Sequence, residues 1–309
     1  MDKFVVSYAP FVRSSNDANK MFLYVSAVLI LPAIYGMMFF GFQSLLIVLI
    51  SVLSAFLSEM LYNFIIKKKF KVENMSVLVT GLTLSLTMPV KMPLYIVGIS
   101  AFVAVFITKM AFGGLGKNKF NPALVGRVFA GVFSSYLAVN LYELTFKGET
   151  LVSLSKGGTN SLLNLIIGNA IGGIGTTSII LILAGLIFLI YSDVLDWKIP
   201  VLAILSYLFV GIALAGVEKS MLNICSGSFV FVAVFMMTDP NTSPNSLLGK
   251  IVYSVMFGGL SAYVWHLGFL AEDTVFVVAL FVNLFVPAMD KYLIFNQKPL
   301  GGYRNAHKN

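Results

Sequence analysis

The stretch Ser226–Ser246, SGSFVFVAVFMMTDPNTSPNS, decides how the rest of the chain is read. It begins as an apolar run and stops at Thr238-Asp239-Pro240. Pro240 and Pro244 then hold the backbone away from helix, with Asn, Thr and Ser between and after them. Inside a bilayer every backbone polar group needs a partner, so a broken, proline-bounded segment survives there only if buried in protein or facing a wet cavity. Asp239 is therefore a candidate intramembrane site residue, together with Thr238 and Asn241. The plainer reading places Asp239 at the interface, capping a loop.

The surroundings support a membrane setting. The chain has 309 residues, of which 58% are hydrophobic and 11% charged, and its mean hydropathy is +0.91. Soluble domains carry roughly 25% charged residues. The composition predicts an all-α polytopic membrane protein with the lipid bilayer as its solvent. The formal charge of +8 is accounted for by basic loops on one side of a membrane and requires no nucleic acid. The single Cys225 excludes an internal disulfide and any iron–sulfur cluster held by this chain alone. No phosphate loop, HExxH pattern or other metal-ligand spacing is present, and His266 and His307 are far apart in sequence.

In chain order, residues 1–20 read as a polar arm, with Asp2, Arg13 and Asp17 where a cleavable leader would be apolar. Spans are expected at 21–40, 43–66, 76–88, 94–112, 123–139, 176–191, 199–217, 226–238, 251–270 and 274–289, judged against the roughly 20 residues a bilayer needs. Glu59 is expected to reach the interface near the basic stop Lys67–Lys71, with burial in a functional role as the alternative. Arg127, one turn into the fifth span, is expected to snorkel to the surface, with an anion partner as the alternative. Residues 140–175 form the longest non-spanning stretch. With ten spans, most Lys and Arg fall on the side of the termini, leaving Lys91, Lys147, Lys156 and Lys219 opposite. The positive-inside rule then places both termini in the cytoplasm and 140–175 outside.

The chain also repeats itself weakly. The turns 87–93, TMPVKMP, and 238–244, TDPNTSP, each end a short span, and each is followed by a span carrying Phe-Gly-Gly-Leu, at 112–115 and 257–260. Halves of five spans would insert in opposite senses. The expected layout is a first repeat at 21–139, an outer loop at 140–175, a second repeat at 176–291 and a tail at 292–309. Interrupted segments at matching places in inverted halves mark a site where the halves meet. Such architecture suits either ion passage or the holding of a planar cofactor.

Several motifs in order resemble the RnfD/NqrB family of membrane flavoprotein subunits. They are Ala9-Pro-Phe-Val-Arg-Ser14, Val79-Thr-Gly-Leu82, Lys119-Phe-Asn-Pro-Ala123, Thr238-Asp-Pro-Asn-Thr-Ser-Pro244 after Ser226-Gly-Ser-Phe229, and Asn283-Leu-Phe-Val-Pro287. NqrB chains carry a longer N-terminal extension, so the length is more like RnfD. The resemblance adds Asn121 to the candidate intramembrane site, beside Arg127. It implies a subunit of an Rnf-type complex in a bacterial inner membrane, passing electrons between ferredoxin and NAD coupled to sodium or proton movement. It also implies other membrane and peripheral subunits as partners, and FMN held by a phosphoester to a threonine in a Ser/Thr-x-Ala-Thr-like motif outside the membrane. The matching region is Gly157-Gly-Thr-Asn-Ser-Leu162. Aligned without a gap, the flavin-bearing position is Asn160, which has no hydroxyl; a shift of one gives Thr159. Thr176 and Thr177 also offer hydroxyls but equally serve to start the sixth span. A rival reading of the same architecture is a solute channel or transporter without a redox cofactor.

Overall fold

Apolar runs of membrane length form helices because only a helix satisfies its own backbone in lipid. The computed structural model describes residues 18–66, 75–114, 116–136, 166, 172–226, 228–268 and 271–293. The arm, the basic stop, most of 140–175 with Thr159, and the tail from 294 lie outside the described residues, and no strand occurs among those that are described.

The elements are α1 (Ala18–Phe40), α2 (Phe42–Ile65), α3 (Ser76–Leu86), α4 (Leu94–Phe102, continuing as a π-helix over Val103–Met110) and α5 (Pro122–Tyr136). After the outer stretch come α6 (Ile179–Tyr191), α7 (Lys198–Ala215), α8 (Val217–Ser226) and α9 (Phe229–Phe231, continuing as a π-helix over Val232–Met236). The chain closes with α10 (Leu247–His266), α11 (Ala271–Asn283) and α12 (Val286–Leu293). Five helices are long and apolar enough to cross a membrane: Asn19–Phe40, Phe42–Ile65, Lys198–Ala215, Leu247–His266 and Thr274–Leu293. The apolar helices Ser76–Leu86, Leu94–Met110, Pro122–Ser134 and Ile179–Tyr191 are shorter. α8 and α9 meet at a bend of 66°. The protein is an all-helical, polytopic membrane protein.

Burial separates the helices into two kinds. The long ones bury one side and show Leu49, Leu53, Leu57, Leu205 and Phe209 outward. Such apolar exposure is ordinary for a lipid-facing surface. The short, broken elements are central. Nine of the 11 residues of α3 are buried, and Phe229 through Met237 are buried without a gap. Residues 229–237 therefore sit in the core, against α6, α7 and α11, with Phe229 stacked on Phe257 of α10.

Breaks follow proline and glycine chemistry. Leu284 and Phe285 form a short turn between α11 and α12 just ahead of Pro287, which has no N–H to continue the helical ladder, and Thr274–Leu293 remains long and apolar enough to cross a membrane, in keeping with the expected span. The Phe-Gly-Gly-Leu copies fold differently. Gly113 and Gly114 turn at φ 109 and 91, whereas Gly258 lies inside α10 against the Ala203 carbonyl. The segment before α6 threads close to the end of α3. Ile174 N donates to the Met88 carbonyl (3.0 Å) and Gly175 N to that of Leu86 (2.8 Å).

Two expectations are corrected. Arg127 does not snorkel: it is 2% exposed, its Nε donates to the Thr87 carbonyl (2.9 Å), and its guanidinium lies 4.6 Å from the Phe276 ring centroid. A carbonyl at a helix end and an aromatic face supply inside what water would supply outside. Glu59 does not reach the interface beside the basic stop. It pairs with Lys109 (3.4 Å), the two side chains being 13% and 3% exposed, and Lys109 Nζ also donates to Ser76 Oγ (2.7 Å).

Candidate functional site

Asn121 holds the centre of the candidate site because it does three things at once. Its Oδ1 accepts from Ala123 N (3.0 Å) and Leu124 N (3.4 Å), capping α5. Pro122 opens that helix, where its missing N–H is harmless. The Asn121 Nδ2 donates to the Met236 carbonyl (2.9 Å) at the end of the second π-helix. Its backbone N donates to Asn283 Oδ1 (3.2 Å). Asn283 Nδ2 in turn donates to the Thr242 carbonyl (2.9 Å) and to Tyr253 Oη (3.3 Å). Two amide side chains thus join α5, the 238–246 turn, α10 and α11. Buried amides of this kind are costly unless fully bonded, so the network specifies one arrangement.

The turn itself is built by Asp239. Its Oδ1 accepts from Asn241 N (3.1 Å) and Asn241 Nδ2 (3.3 Å), and its Oδ2 from Thr242 Oγ1 (3.4 Å). This is an Asx turn, the local bond that lets Asp replace helix with a bend. Ser246 then caps α10 by accepting from Gly249 N (3.0 Å). Thr238 Oγ1 donates back to the Val234 carbonyl.

These parts face a cavity of about 160 Å³. Its walls come from Met21, Phe22 and Val25 of α1, Val79 of α3, Leu189, Val194 and Leu195 after the middle of α6, and Val234 and Phe235 of the broken segment. Its polar groups are Ser76, Thr80, Thr83, Lys109, Asn118, Asn121, Thr238, Asp239 and Asn241. Asn118 is 6% exposed. Its Nδ2 donates to the Phe120 carbonyl (3.3 Å), while its Oδ1 is a buried acceptor without a partner among the described residues. Apolar walls with a few convergent polar groups are the ordinary make-up of a small-molecule site. Donors from Asn121 and Lys109 and acceptors from Asp239 and Asn118 suit the edge of a planar group, and the carboxylate also suits a passing cation.

The structure brings Thr238, Asp239, Asn241 and Asn121 to one cavity. It places Arg127 one turn beyond it, in the α3–α5 contact. Thr176 and Thr177 lie elsewhere, before α6. Asn283, Lys109, Asn118, Thr242 and Glu59 were not among the candidate residues. Asn283 and Lys109 carried a usable signal, being polar residues inside apolar runs. Among the described residues no group of three or more His, Cys, Asp or Glu is placed to hold a metal ion.

A phosphoester needs an accessible hydroxyl and room for a phosphate. Thr176 and Thr177 are 3% and 1% exposed. Thr176 Oγ1 accepts from Gly173 N (2.8 Å) and from Ser228 Oγ (3.2 Å). The Thr177 Oγ1 is a buried hydroxyl without a partner among the described residues, and Thr159 is outside the described residues. Between α6 and α7, Asp196 accepts at Oδ2 from Lys250 Nζ (2.6 Å) and at Oδ1 from Lys198 N (3.1 Å). Burial alone would raise the Asp196 carboxyl, but these bonds and the two lysine charges hold it below its usual value.

Comparison with known proteins finds relatives over nearly the whole chain. A subunit of the proton-translocating ferredoxin:NAD(+) oxidoreductase complex of Clostridium ljungdahlii is 29% identical over 312 residues, covering 94% of each chain. Its counterpart in the Na(+)-translocating ferredoxin:NAD(+) oxidoreductase complex of Acetobacterium woodii is 29% identical over 298 residues, covering 93% of this chain and 92% of its own. A subunit of the Na(+)-translocating NADH-quinone reductase of Pseudomonas aeruginosa is 29% identical over 239 residues, 70% of this chain and 59% of its own. The sequence profile of the NQR2, RnfD, RnfE family matches residues 5–298, and the chain belongs to that family.

Proposed function

We propose that this chain is the membrane flavoprotein subunit of an Rnf-type complex, relaying electrons between ferredoxin and NAD while the complex moves sodium or protons. One observation carries the reading: similarity to the corresponding subunits of two ferredoxin:NAD(+) oxidoreductase complexes runs end to end, over 94% and 93% of this chain. The quinone-reductase relative shares only 70% of this chain, which favours the Rnf arrangement over the quinone-reducing one. The chain acts as a translocase subunit with other membrane and peripheral subunits as partners. Flavin supplies the one- and two-electron chemistry in such a subunit, and the protein supplies position and environment.

Ten spans in two inverted halves, with both termini in the cytoplasm of a bacterial cell, are the arrangement that the charge distribution supports. Under it the cavity opens toward the side of the termini and 140–175 faces outward. FMN on Thr159 is the attachment that the resemblance supports, with Thr176 and Thr177 as the weaker alternatives. The rival channel reading predicts a colourless chain that conducts a solute alone.

Deleting the gene in its native host and assaying inverted membrane vesicles tests the function. Ferredoxin-dependent NAD reduction and the accompanying ion uptake should vanish together and return with the plasmid-borne gene. Vesicles that keep both without this chain overturn the reading. Accessibility labelling tests the layout: Lys69 should react from the cytoplasmic face and Lys156 from the other, and labelling of both from one face contradicts it.

A further inference from the structure

The connection between α6 and α7, residues 192–197, is a thin part of the cavity wall. Val194 and Leu195 line the cavity, whereas Asp193 and Trp197 on either side of them are exposed. A single thickness of chain therefore separates the cavity from the outside here. The connection is held to α6 by short-range bonds, Asp193 N to the Ile190 carbonyl (3.0 Å) and Val194 N to that of Leu189 (3.0 Å). Asp193 has φ 53, a left-handed conformation that aspartate tolerates and most side chains avoid. A longer-range tie is made by Asp196, whose Oδ2 accepts from Lys250 Nζ (2.6 Å).

Lys250 lies in the first turn of α10, its N donating to the Ser246 carbonyl (2.9 Å). Ser246 closes the 238–246 turn, and Pro240 and Asn241 of that turn also line the cavity. The Asp196–Lys250 bond thus joins two parts of the wall that are far apart in sequence. Helix stability does not account for a lysine there, because a cation opposes the positive end of the helix dipole. Pairing with Asp196 does. The two side chains are 22% and 24% exposed, so water can take over both ions when the bond opens.

We propose that residues 192–197 form a strap over the cavity and that the Asp196–Lys250 pair is the latch that holds it shut. Opening costs little, because a partly exposed ion pair contributes modestly and both ions are re-solvated. Short connections with few buried apolar contacts are the parts of a fold that open locally. Shut, the strap keeps Val194 and Leu195 against the cavity and holds water out, which strengthens the polar interactions inside. Open, it lets the occupant of the cavity exchange with the outside. The inference concerns access to the cavity and rests on neither the flavin nor the coupled ion.

The test is the rate at which 2-hydroxyethyl methanethiosulfonate, small and uncharged, modifies a cysteine placed in the cavity by Val79→Cys. The complex is purified through this chain, and mass spectrometry reads the modified peptides. Native Cys225, partly exposed and not among the cavity-lining residues, is the internal control. Lys250→Met should speed the reaction at position 79 at least about threefold and leave Cys225 unchanged, whereas Lys250→Arg, which keeps the charge, should stay within about twofold. Equal rates in Lys250→Met and its parent, both cysteines speeding together, or an arginine variant that behaves like the methionine one overturns the proposal. Should Lys250→Met not assemble, salt decides, because a partly exposed ion pair is screened. Raising sodium chloride from about 0.05 M to about 1 M should speed position 79 at least about twofold and leave Cys225 unchanged. A rate indifferent to salt, or a rise matched at Cys225, overturns the proposal. Because labelling needs no redox turnover, this readout stands even where the electron-transfer assay fails.

Discussion

Replacing Asn283 with leucine probes the network that joins the broken segments. The side chain is 0% exposed and has three partners: Asn121 N, the Thr242 carbonyl and Tyr253 Oη. Leucine keeps the same branched skeleton with bulkier methyl ends, so no cavity opens; the main loss is polar, with some crowding added. Tyr253 contributes least, because its hydroxyl also meets Met237 Sδ (3.5 Å). The other two are rigid backbone groups, and a buried polar group left unsatisfied costs about 1–3 kcal/mol. Interhelical hydrogen bonds in membranes average nearer 0.6 kcal/mol, since the unfolded reference also finds partners. Complete burial and fixed backbone favour the larger figure, and a loss of about 2–4 kcal/mol follows. A thermal melt of the detergent-solubilised protein should therefore fall by roughly 4–10 °C. Phe281→Leu, on the same helix but 48% exposed, should change stability by no more than about 0.5 kcal/mol. Asn283→Leu melting together with wild type, or Phe281→Leu falling as far, would refute the account of the network.

Three further outcomes are expected. Glu59→Leu leaves the Lys109 ammonium buried beside Ser76 alone and should destabilise by about 3 kcal/mol; the Glu59→Leu, Lys109→Met double variant should recover at least about half of that in the same melt, and a double variant worse than the single contradicts the buried pair. Gly173→Ala places a Cβ 2.6 Å from the Thr87 carbonyl carbon and should cost more than about 2 kcal/mol, while Gly98→Ala, whose nearest neighbour is 3.7 Å away, should be neutral or stabilising by up to about 1 kcal/mol. Asp196 is held below its usual carboxylate value of 3.8, so its contribution is present above that value and is lost as pH falls through the lower folded one; the stability gap between wild type and Asp196→Asn should hold from neutral pH to about 5 and close below about 4, and a gap independent of pH would show that the lysine bonds contribute nothing.

Much of the scaffold was legible because lipid leaves the backbone few choices. Runs such as 43–66 and 199–217 appear as α2 and α7 within two residues, since a long apolar stretch must be helical. Breaks were legible where two prolines flank polar residues, as at 238–244, and illegible at the two-residue turn 284–285, where the run stays apolar and of membrane length. Asp239, Thr238 and Asn241 could be singled out because each is a polar residue beside a proline or a turn, and Asn121 entered with the family resemblance. Their meeting place could not, because it is set by contacts such as Asn121 with Asn283, 162 positions apart. Arg127 and Glu59 were misplaced for one reason: snorkelling was assumed where the fold supplies a carbonyl, an aromatic face or a lysine. The repeated Phe-Gly-Gly-Leu shows the limit of short motifs, since glycine permits both the open turn at 113–114 and close packing inside α10.

The electron-transfer account meets its most direct test in the colour of the protein. The chain purified from its native host, with whatever subunits accompany it, should fluoresce as a flavoprotein in a denaturing gel, carry FMN on the peptide containing Thr159, and lose that signal in Thr159→Ala. A colourless chain with no flavin on any threonine, conducting a solute when reconstituted alone, would contradict it.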